Sequence, residues 1–435
     1  LSRVDRSESV GQASSLPSFS WQAGSLPHRG EGLVRLRVQG RLALLHAGWV
    51  VLAASIALVA VGVYCIDVAS ALRPEALAAD GKKQLMFAVL GLVIGIICAL
   101  PHYRWWLWLT WPLAALSVIL LAVLIVPGVP ASLVTPRNGA RRWIDLGAFD
   151  LQPAEVAKVA YVLATASYLR YRQNHRTIMG LIPPAIIVLV PMVLIVVEPD
   201  LGSSLLFLPA LVAMLVAAGA KLKHLVAASS IGVVMAGVVA AASLFFAARG
   251  EYPLLRKHQV DRIQAVLDMA SGDDRFADDR GFQGRQAVTL VGAGGWAGHT
   301  DDRSRALIHF SKLPEARNDM IFAVFANRFG FVGVLGLLGL YSAWVLGALW
   351  AAGRCKDAFG RLVVVGFTAI IATQALINIG ETTGVMPITG MTLPFVSYGG
   401  SSMLLGFMMV GIIFSISMRR PDHFWRRSFE FDDGQ

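Results

Sequence analysis

Leu313-Pro314-Glu315-Ala316-Arg317-Asn318-Asp319 runs without a break into Met320-Ile321-Phe322-Ala323-Val324-Phe325. On one side of that junction lies a polar stretch of about seventy residues, 249–319. On the other begins one of the apolar runs that make up most of the chain. Runs of about 17–25 apolar residues are long enough to cross the hydrocarbon core of a bilayer as a helix. About ten can be drawn, over 44–66, 84–101, 104–127, 153–170, 181–197, 202–220, 223–247, 320–351, 359–380 and 396–418. The ten-residue alternation of a membrane β-barrel is absent. The expected fold is all-α: a polytopic membrane protein with about ten transmembrane helices and a large extracytoplasmic loop. A loop of that length between two spans is usually functional or disordered. A carboxylate where it meets the bilayer is costly to desolvate, so chemistry is expected at Asp319.

Composition agrees with a membrane protein. Of 435 residues, 56% are hydrophobic and 15% charged, against about a quarter charged in soluble domains. The net charge of +10 is not a nucleic-acid signature, because most basic residues sit in short loops beside spans, where they set orientation. Arg170, Arg172, Arg176, Lys221, Lys223, Arg354, Lys356, Arg361, Arg419 and Arg420 fall on one side, with fewer on the other. That asymmetry puts both termini in the cytoplasm and the 249–319 loop outside. Residues 1–43 read as a disordered cytoplasmic tail without a signal peptide, 44–418 as the membrane domain, and 419–435 as a cytoplasmic C-terminal tail. Cys65, Cys98 and Cys355 are scattered and read as buried small hydrophobes, and neither they nor the histidines show metal-site spacing.

Several polar groups interrupt the apolar pattern on the outer side. Asn138 to Asp145 includes Arg141 and Arg142 and precedes the fourth span. Gln152-Pro153-Ala154-Glu155-Val156-Ala157-Lys158 opens that span, with Pro153 suited to a first helical position. Glu155 and Lys158 are three apart and share a helix face. An ion pair at that depth must point into protein or a wet cavity, as a structural lock or a substrate contact. Glu198 to Ser204 is a short turn with Asp200 at or near an N-cap. Asp273 to Arg280 alternates acids with arginines and reads as a solvated loop face rather than a calcium site. Gly281 to Gly298 reads as a short helix against the membrane, with Gln283 and Gln286 available to hold a sugar. Glu315 joins Asp319 at the loop end. The 387–402 stretch, with its two prolines and three glycines, predicts irregular backbone lining a cavity and carries Ser397 and Ser401. The eighth span is over-long, which predicts either a tilted helix or a surface turn around Gly330.

Taken together, Gly139–Lys158, Glu198–Ser204, Gly281–Gly298, Leu313–Val324 and Asn378–Ser402 resemble the SEDS family (shape, elongation, division and sporulation), the group containing FtsW, RodA and SpoVE. Leu393-Pro394-Phe395-Val396-Ser397-Tyr398-Gly399-Gly400-Ser401-Ser402 with Leu313-Pro314-Glu315-Ala316-x-x-Asp319 is the most specific part. The resemblance implies a peptidoglycan glycosyltransferase of the bacterial inner membrane, which polymerises lipid II into β-1,4 glycan strands and releases undecaprenyl pyrophosphate. It implies Asp319 as the catalytic carboxylate, with roles for Arg142, Glu155 and Lys158, and substrate lipid II and the nascent strand. A class B penicillin-binding protein is the implied partner. The departing phosphates need positive charge, which Arg141, Arg142, Lys158 or a divalent cation (Mg or Mn) would supply. Asp200, Gln283, Gln286, Glu315, Ser397 and Ser401 are further candidate substrate contacts. The residues alone leave room for a lipid II flippase or a non-catalytic scaffold. Gly390-Met391-Thr392-Leu393-Pro394 leans toward a division rather than an elongation role. Asn327-Arg328-Phe329-Gly330, Glu198 and the acid-rich 273–280 insert depart from the family pattern and mark a divergent member.

Overall fold

The computed structural model describes residues 46–69, 74–126, 129–130, 133–134, 141–147, 150–171, 177–198, 200–253, 260, 279–386 and 388–419. The expected N-terminal tail, the C-terminal tail beyond Arg419, the acid-rich run from Asp273 to Asp278 and Asn138 to Ala140 lie outside them.

Among the described residues the architecture is helical, as the apolar runs predict. Helices α1 (Gly48–Ala69), α2 (Pro74–Ala99) and α3 (Trp105–Ile125) come first. Strands β1 (Ile144–Asp145) and β2 (Asp150–Leu151) then pair antiparallel, Ile144 opposite Leu151. Next are α4 (Pro153–Leu169), α5 (Ile182–Val197), α6 (Leu201–Leu205), α7 (Phe207–Ala217) and α8 (Leu222–Ala247). Two helices of the polar loop, α9 (Asp279–Ala293) and α10 (Asp301–Ser311), precede α11 (Ile321–Arg354), α12 (Ala358–Thr382) and α13 (Gly400–Met418). The hairpin is the one departure from an all-α reading. It turns at Gly147, whose N–H donates to Asp145 Oδ1 at 2.7 Å.

Seven helices among the described residues are long and apolar enough to cross a membrane. The expected spans outside that seven differ for visible reasons. Helix α4 has only 17 residues and carries Glu155 and Lys158. The 202–220 run is broken at Leu206 into α6 and α7. Helix α8 covers the whole 223–247 run. Helix α11, at 34 residues, would be about 50 Å long if straight. It bends at Gly330 (φ 63°), where the sequence predicted a turn.

Packing explains why a helix bearing charges can lie inside an apolar bundle. Every residue of α4 from Pro153 to Ala166 is buried, so α4 meets its neighbours α3, α5, α12 and α13 rather than lipid. The most extensive helix pair is α2 with α13. A Cβ at Gly411 would stand 2.1 Å from the Gly95 carbonyl, so only glycine permits that approach. Contacts at one end join the start of α1 to the end of α13 (His46 to Ser417, 3.2 Å) and the start of α3 to the start of α12 (Arg104 to Asp357, 3.8 Å). The N-termini of α4, α6, α11 and α13 gather at the other end.

The loop helices are stitched to the bundle. Buried Asn327 accepts from the Ser304 hydroxyl at 2.8 Å and donates to the Leu290 carbonyl at 3.1 Å, tying α10 and α9 to α11. Arg328 donates to Asp301, to the Tyr64 hydroxyl at 2.9 Å and to the His299 carbonyl at 2.8 Å. The Asn327-Arg328 pair therefore fastens the loop to α1 and α11.

Candidate active site

A cavity of about 620 Å³ opens where those N-termini gather. Each wall follows from a local rule. Pro153 starts α4 where its missing N–H leaves nothing unsatisfied, and so aims Glu155 and Lys158 into the cavity one turn later. Lys158 Nζ sits 2.6 Å from Glu155 Oε1 and 3.1 Å from Gln374 Oε1. Gln374 in turn donates to the Thr392 carbonyl at 2.9 Å. Structural lock and cavity lining are thus the same pair.

Asp200 caps α6 as expected, accepting from the Ser203 N–H at 3.1 Å and the Ser203 hydroxyl at 2.9 Å. Its carboxylate also lies 3.9 Å from the Arg142 guanidinium, reached from the β1–β2 side. Glu198, just before this turn, is buried with Oε1 lacking a hydrogen-bond partner. Burial, then the neighbouring Asp200, pushes its carboxyl up to about 9, with Arg142 opposing.

The segment from Leu313 to Asp319 is a chain of turns. Glu315 takes a left-handed conformation (φ 51°), and its carbonyl accepts from Asn318 N–H at 3.0 Å and Met320 N–H at 3.3 Å. The segment docks on the Leu393–Ser402 stretch: Tyr398 N–H donates to the Arg317 carbonyl at 3.0 Å, and Ser397 Oγ to the Asn318 carbonyl at 2.6 Å. Arg317 lies over the Tyr398 ring (5.3 Å) and pairs with Asp80 of α2. The two motifs most specific to the resemblance, some eighty residues apart in sequence, form one wall.

Asp319 lines the cavity. Its carbonyl accepts from Asn378 Nδ2 at 2.7 Å, leaving the carboxyl to face inward. Asp319 is half-buried in the cavity wall. Desolvation, then the negative neighbours Glu315, Glu381 and Asp200, push it up to about 7, with Arg142 pulling the other way.

Of the candidate residues, Asp319, Arg142, Glu155, Lys158, Asp200 and Glu315 all line this one cavity. Others are placed elsewhere. Arg141 donates to the Val129 carbonyl at 3.2 Å and is spent on loop structure. Ser397 also accepts from Leu393 N–H at 2.7 Å, and Ser401 bridges the Asp150 carbonyl and the Gln152 N–H, so both hydroxyls hold backbone. Gln283 and Gln286 lie on α9, which packs on α11 and α12 through Ala287 and Leu290, outside the cavity lining. Sequence reasoning missed Lys83, Met86 and Phe87 of α2, Trp143, Gln374 and Tyr398. Among the described residues no three His, Cys, Asp or Glu side chains gather to hold a metal ion. The positive charge the chain itself presents here is Arg142, Lys158, Lys83 and Arg317.

Residues 45–421 match the cell cycle protein family of FtsW, RodA and SpoVE. Stage V sporulation protein E of Bacillus subtilis is 34% identical over 340 residues, covering 77% of this chain and 86% of that protein. A probable peptidoglycan glycosyltransferase FtsW of Marinobacter nauticus is 31% identical over 411 residues, 92% of this chain and 95% of its own. In structure, a chain from a peptidoglycan synthase complex that coordinates polymerization and crosslinking aligns with TM-score 0.69 and 27% identity, covering 85% of this chain and 96% of that one. Thermus thermophilus RodA, a rod shape determining protein, aligns with TM-score 0.57 and 26% identity over 85% of this chain and 95% of its own. With its multi-pass helical bundle and its two docked motifs, the chain belongs to the FtsW/RodA/SpoVE family of bacterial membrane proteins.

Proposed function

We propose that this protein is an inverting peptidoglycan glycosyltransferase that polymerises lipid II on the outer face of the cytoplasmic membrane. The observation that carries the proposal is a carboxyl, Asp319, in a cavity of disaccharide size, with proton affinity near neutrality and Arg142 and Lys158 in the same walls. In the reaction, Asp319 takes the proton from the 4-hydroxyl of the acceptor sugar as that oxygen attacks the donor's anomeric carbon. The bond from that carbon to the pyrophosphate oxygen breaks, and an α-linked donor becomes a β-1,4 link. An inverting hydrolase needs a second carboxylic acid to protonate its leaving group. Polyprenyl pyrophosphate departs as a stable anion, so one base suffices.

Arg142 and Lys158 supply cationic charge for that anion. Mg or Mn bound as counter-ion of the pyrophosphate would add to that charge. The helix polarity that sets the start of α1 and the end of α13 opposite the cavity, together with the loop charges, supports cytoplasmic termini and an extracytoplasmic site. The relation to the synthase-complex chain supports a transpeptidase partner, a class B penicillin-binding protein.

Two outcomes are expected. With purified protein and lipid II, the polymerisation rate should climb about tenfold per pH unit at acid pH and level off above about 7, because only ionised Asp319 accepts the proton. A rate flat across that range would remove Asp319 as the base. Arg142→Ala should raise the apparent KM for lipid II by about tenfold, the worth of one charge-assisted contact. An unchanged KM would take Arg142 out of donor binding. Translocation of labelled lipid II without polymer would instead favour a flippase.

A further inference from the structure

Helix α12, apart from Arg361 near its start and a few threonines, carries three polar side chains in a mostly apolar span, Gln374, Asn378 and Glu381. Spaced by four and then three residues, they share one face of the helix. All three are buried, and each grips the same passing strand of chain. Gln374 donates to the Thr392 carbonyl, Asn378 to the Met391 carbonyl, and Glu381 accepts from the Thr389 hydroxyl. Gln374 and Asn378 have further duties, to Lys158 and to the Asp319 carbonyl. Glu381 serves that strand alone: besides the Thr389 hydroxyl, the backbone N–H groups of Thr389, Gly390 and Met391 bear on its carboxyl. It is 1% exposed, and its Oε2 is buried with no hydrogen-bond partner. An intramembrane carboxyl so placed is costly and calls for a function.

What Glu381 grips is the back of the catalytic wall. Gly390, next to Thr389, takes φ +82°, and a Cβ there would stand 3.4 Å from Asp319 Oδ2. The backbone at Gly390 is thus a thin partition, with the Asp319 carboxyl on its cavity side and Thr389 held to Glu381 beside it. The same segment braces a third element, since Thr389 Oγ1 and Met391 both lie about 3 Å from where a Gly202 Cβ would be. Gly202 belongs to the turn capped by Asp200.

We propose that Glu381 is a positioning residue for glycosyl transfer: through Thr389 it holds the Thr389–Met391 backbone against Asp319 and so fixes where the base meets the acceptor hydroxyl. This rests on Asp319 being the base. Misplacing a reacting group by about 1 Å costs up to about a hundredfold in rate. The groups that bear on the Asp319 proton are Glu315 on its own segment, Glu381 on α12, Asp200 before α6 and Arg142 beside the hairpin. Losing one acidic neighbour therefore also moves the acid limb of the rate profile.

The test uses the full-length protein with lipid II, comparing Glu381→Gln, Glu381→Ala and Thr389→Val with wild type and Asp319→Asn. Glu381→Gln keeps an acceptor for Thr389 and removes the acid; its acid limb should shift by about half a pH unit or more toward lower pH. Glu381→Ala should lower kcat by about tenfold or more with KM for lipid II within about twofold. Should that variant not fold, Thr389→Val keeps the volume and removes only the hydroxyl, and kcat should fall severalfold with KM for lipid II within about twofold. Wild-type kcat and an unmoved acid limb in Glu381→Gln and Thr389→Val would overturn the proposal while leaving Asp319 as the base. An active Asp319→Asn would instead overturn the base assignment, and this proposal with it.

Discussion

Asp319→Asn is expected to lower lipid II polymerisation by about 10²–10⁴-fold, the range one positioned general base contributes. The amide keeps the shape of the side chain and cannot accept the hydroxyl proton. The same substitution should raise stability. Burial and acidic neighbours lift the folded-state pKa from 3.8 to about 7, so the folded protein prefers the protonated form. Stability from this group is fully present below the unfolded value and is lost as pH rises through about 7. An asparagine escapes that loss. Asp319→Asn should therefore melt higher than wild type near pH 8, by an increment worth on the order of a few kcal/mol, and gain little near pH 4. Detergent-solubilised protein, followed by thermal unfolding at both pH values beside a gel assay, reads both effects. An inactive variant that melts lower at pH 8 would point to a structural carboxylate instead of a strained catalytic one.

The second large effect concerns Lys158. It is 2% exposed, and its ammonium lies between Glu155 and Gln374. Lys158→Ala leaves Glu155 buried without its counter-charge, a loss of about 3–5 kcal/mol in such pairs. The melting temperature should drop sharply, with activity lost from unfolding as much as from chemistry. Glu155→Gln with Lys158→Met removes both charges and should recover most of the stability. Activity of that double variant then separates the two roles. Full stability with no polymer assigns Lys158 to the substrate's phosphates, and full activity makes the pair a lock between α4 and α12.

Much of this was legible in the residues because it depends on local rules. Apolar run length gives the spans, Pro153 the start of α4, Asp200 the cap of α6, and Gly330 the bend in α11. The spacing of Glu155 and Lys158 fixed their pairing, since three residues along a helix bring side chains together in any fold. What stayed hidden depends on who neighbours whom. Arg141 and Arg142 are adjacent and chemically alike, yet one is taken by the Val129 carbonyl and the other reaches Asp200. Gln283 and Gln286 looked free to bind sugar, but α9 turns toward α11 and α12 instead. Ser397 and Ser401 sit in the most recognisable motif and serve its backbone. The missed row on α12 did leave a trace: Gln374, Asn378 and Glu381 mark one face of an apolar span, and polar groups at membrane depth rarely lack a role.

The fastening of α9 and α10 joins two unlike bonds. Asn327 and Ser304 meet in the dry interior, whereas Asp301 is 42% exposed where Arg328 reaches it. Ionic strength screens the second and scarcely touches the first. Rising salt should therefore loosen the segment on its watery flank and leave Asn327 as a pivot. Buffer composition during purification then decides how firmly the exposed end of α10 stays seated on α1 and α11.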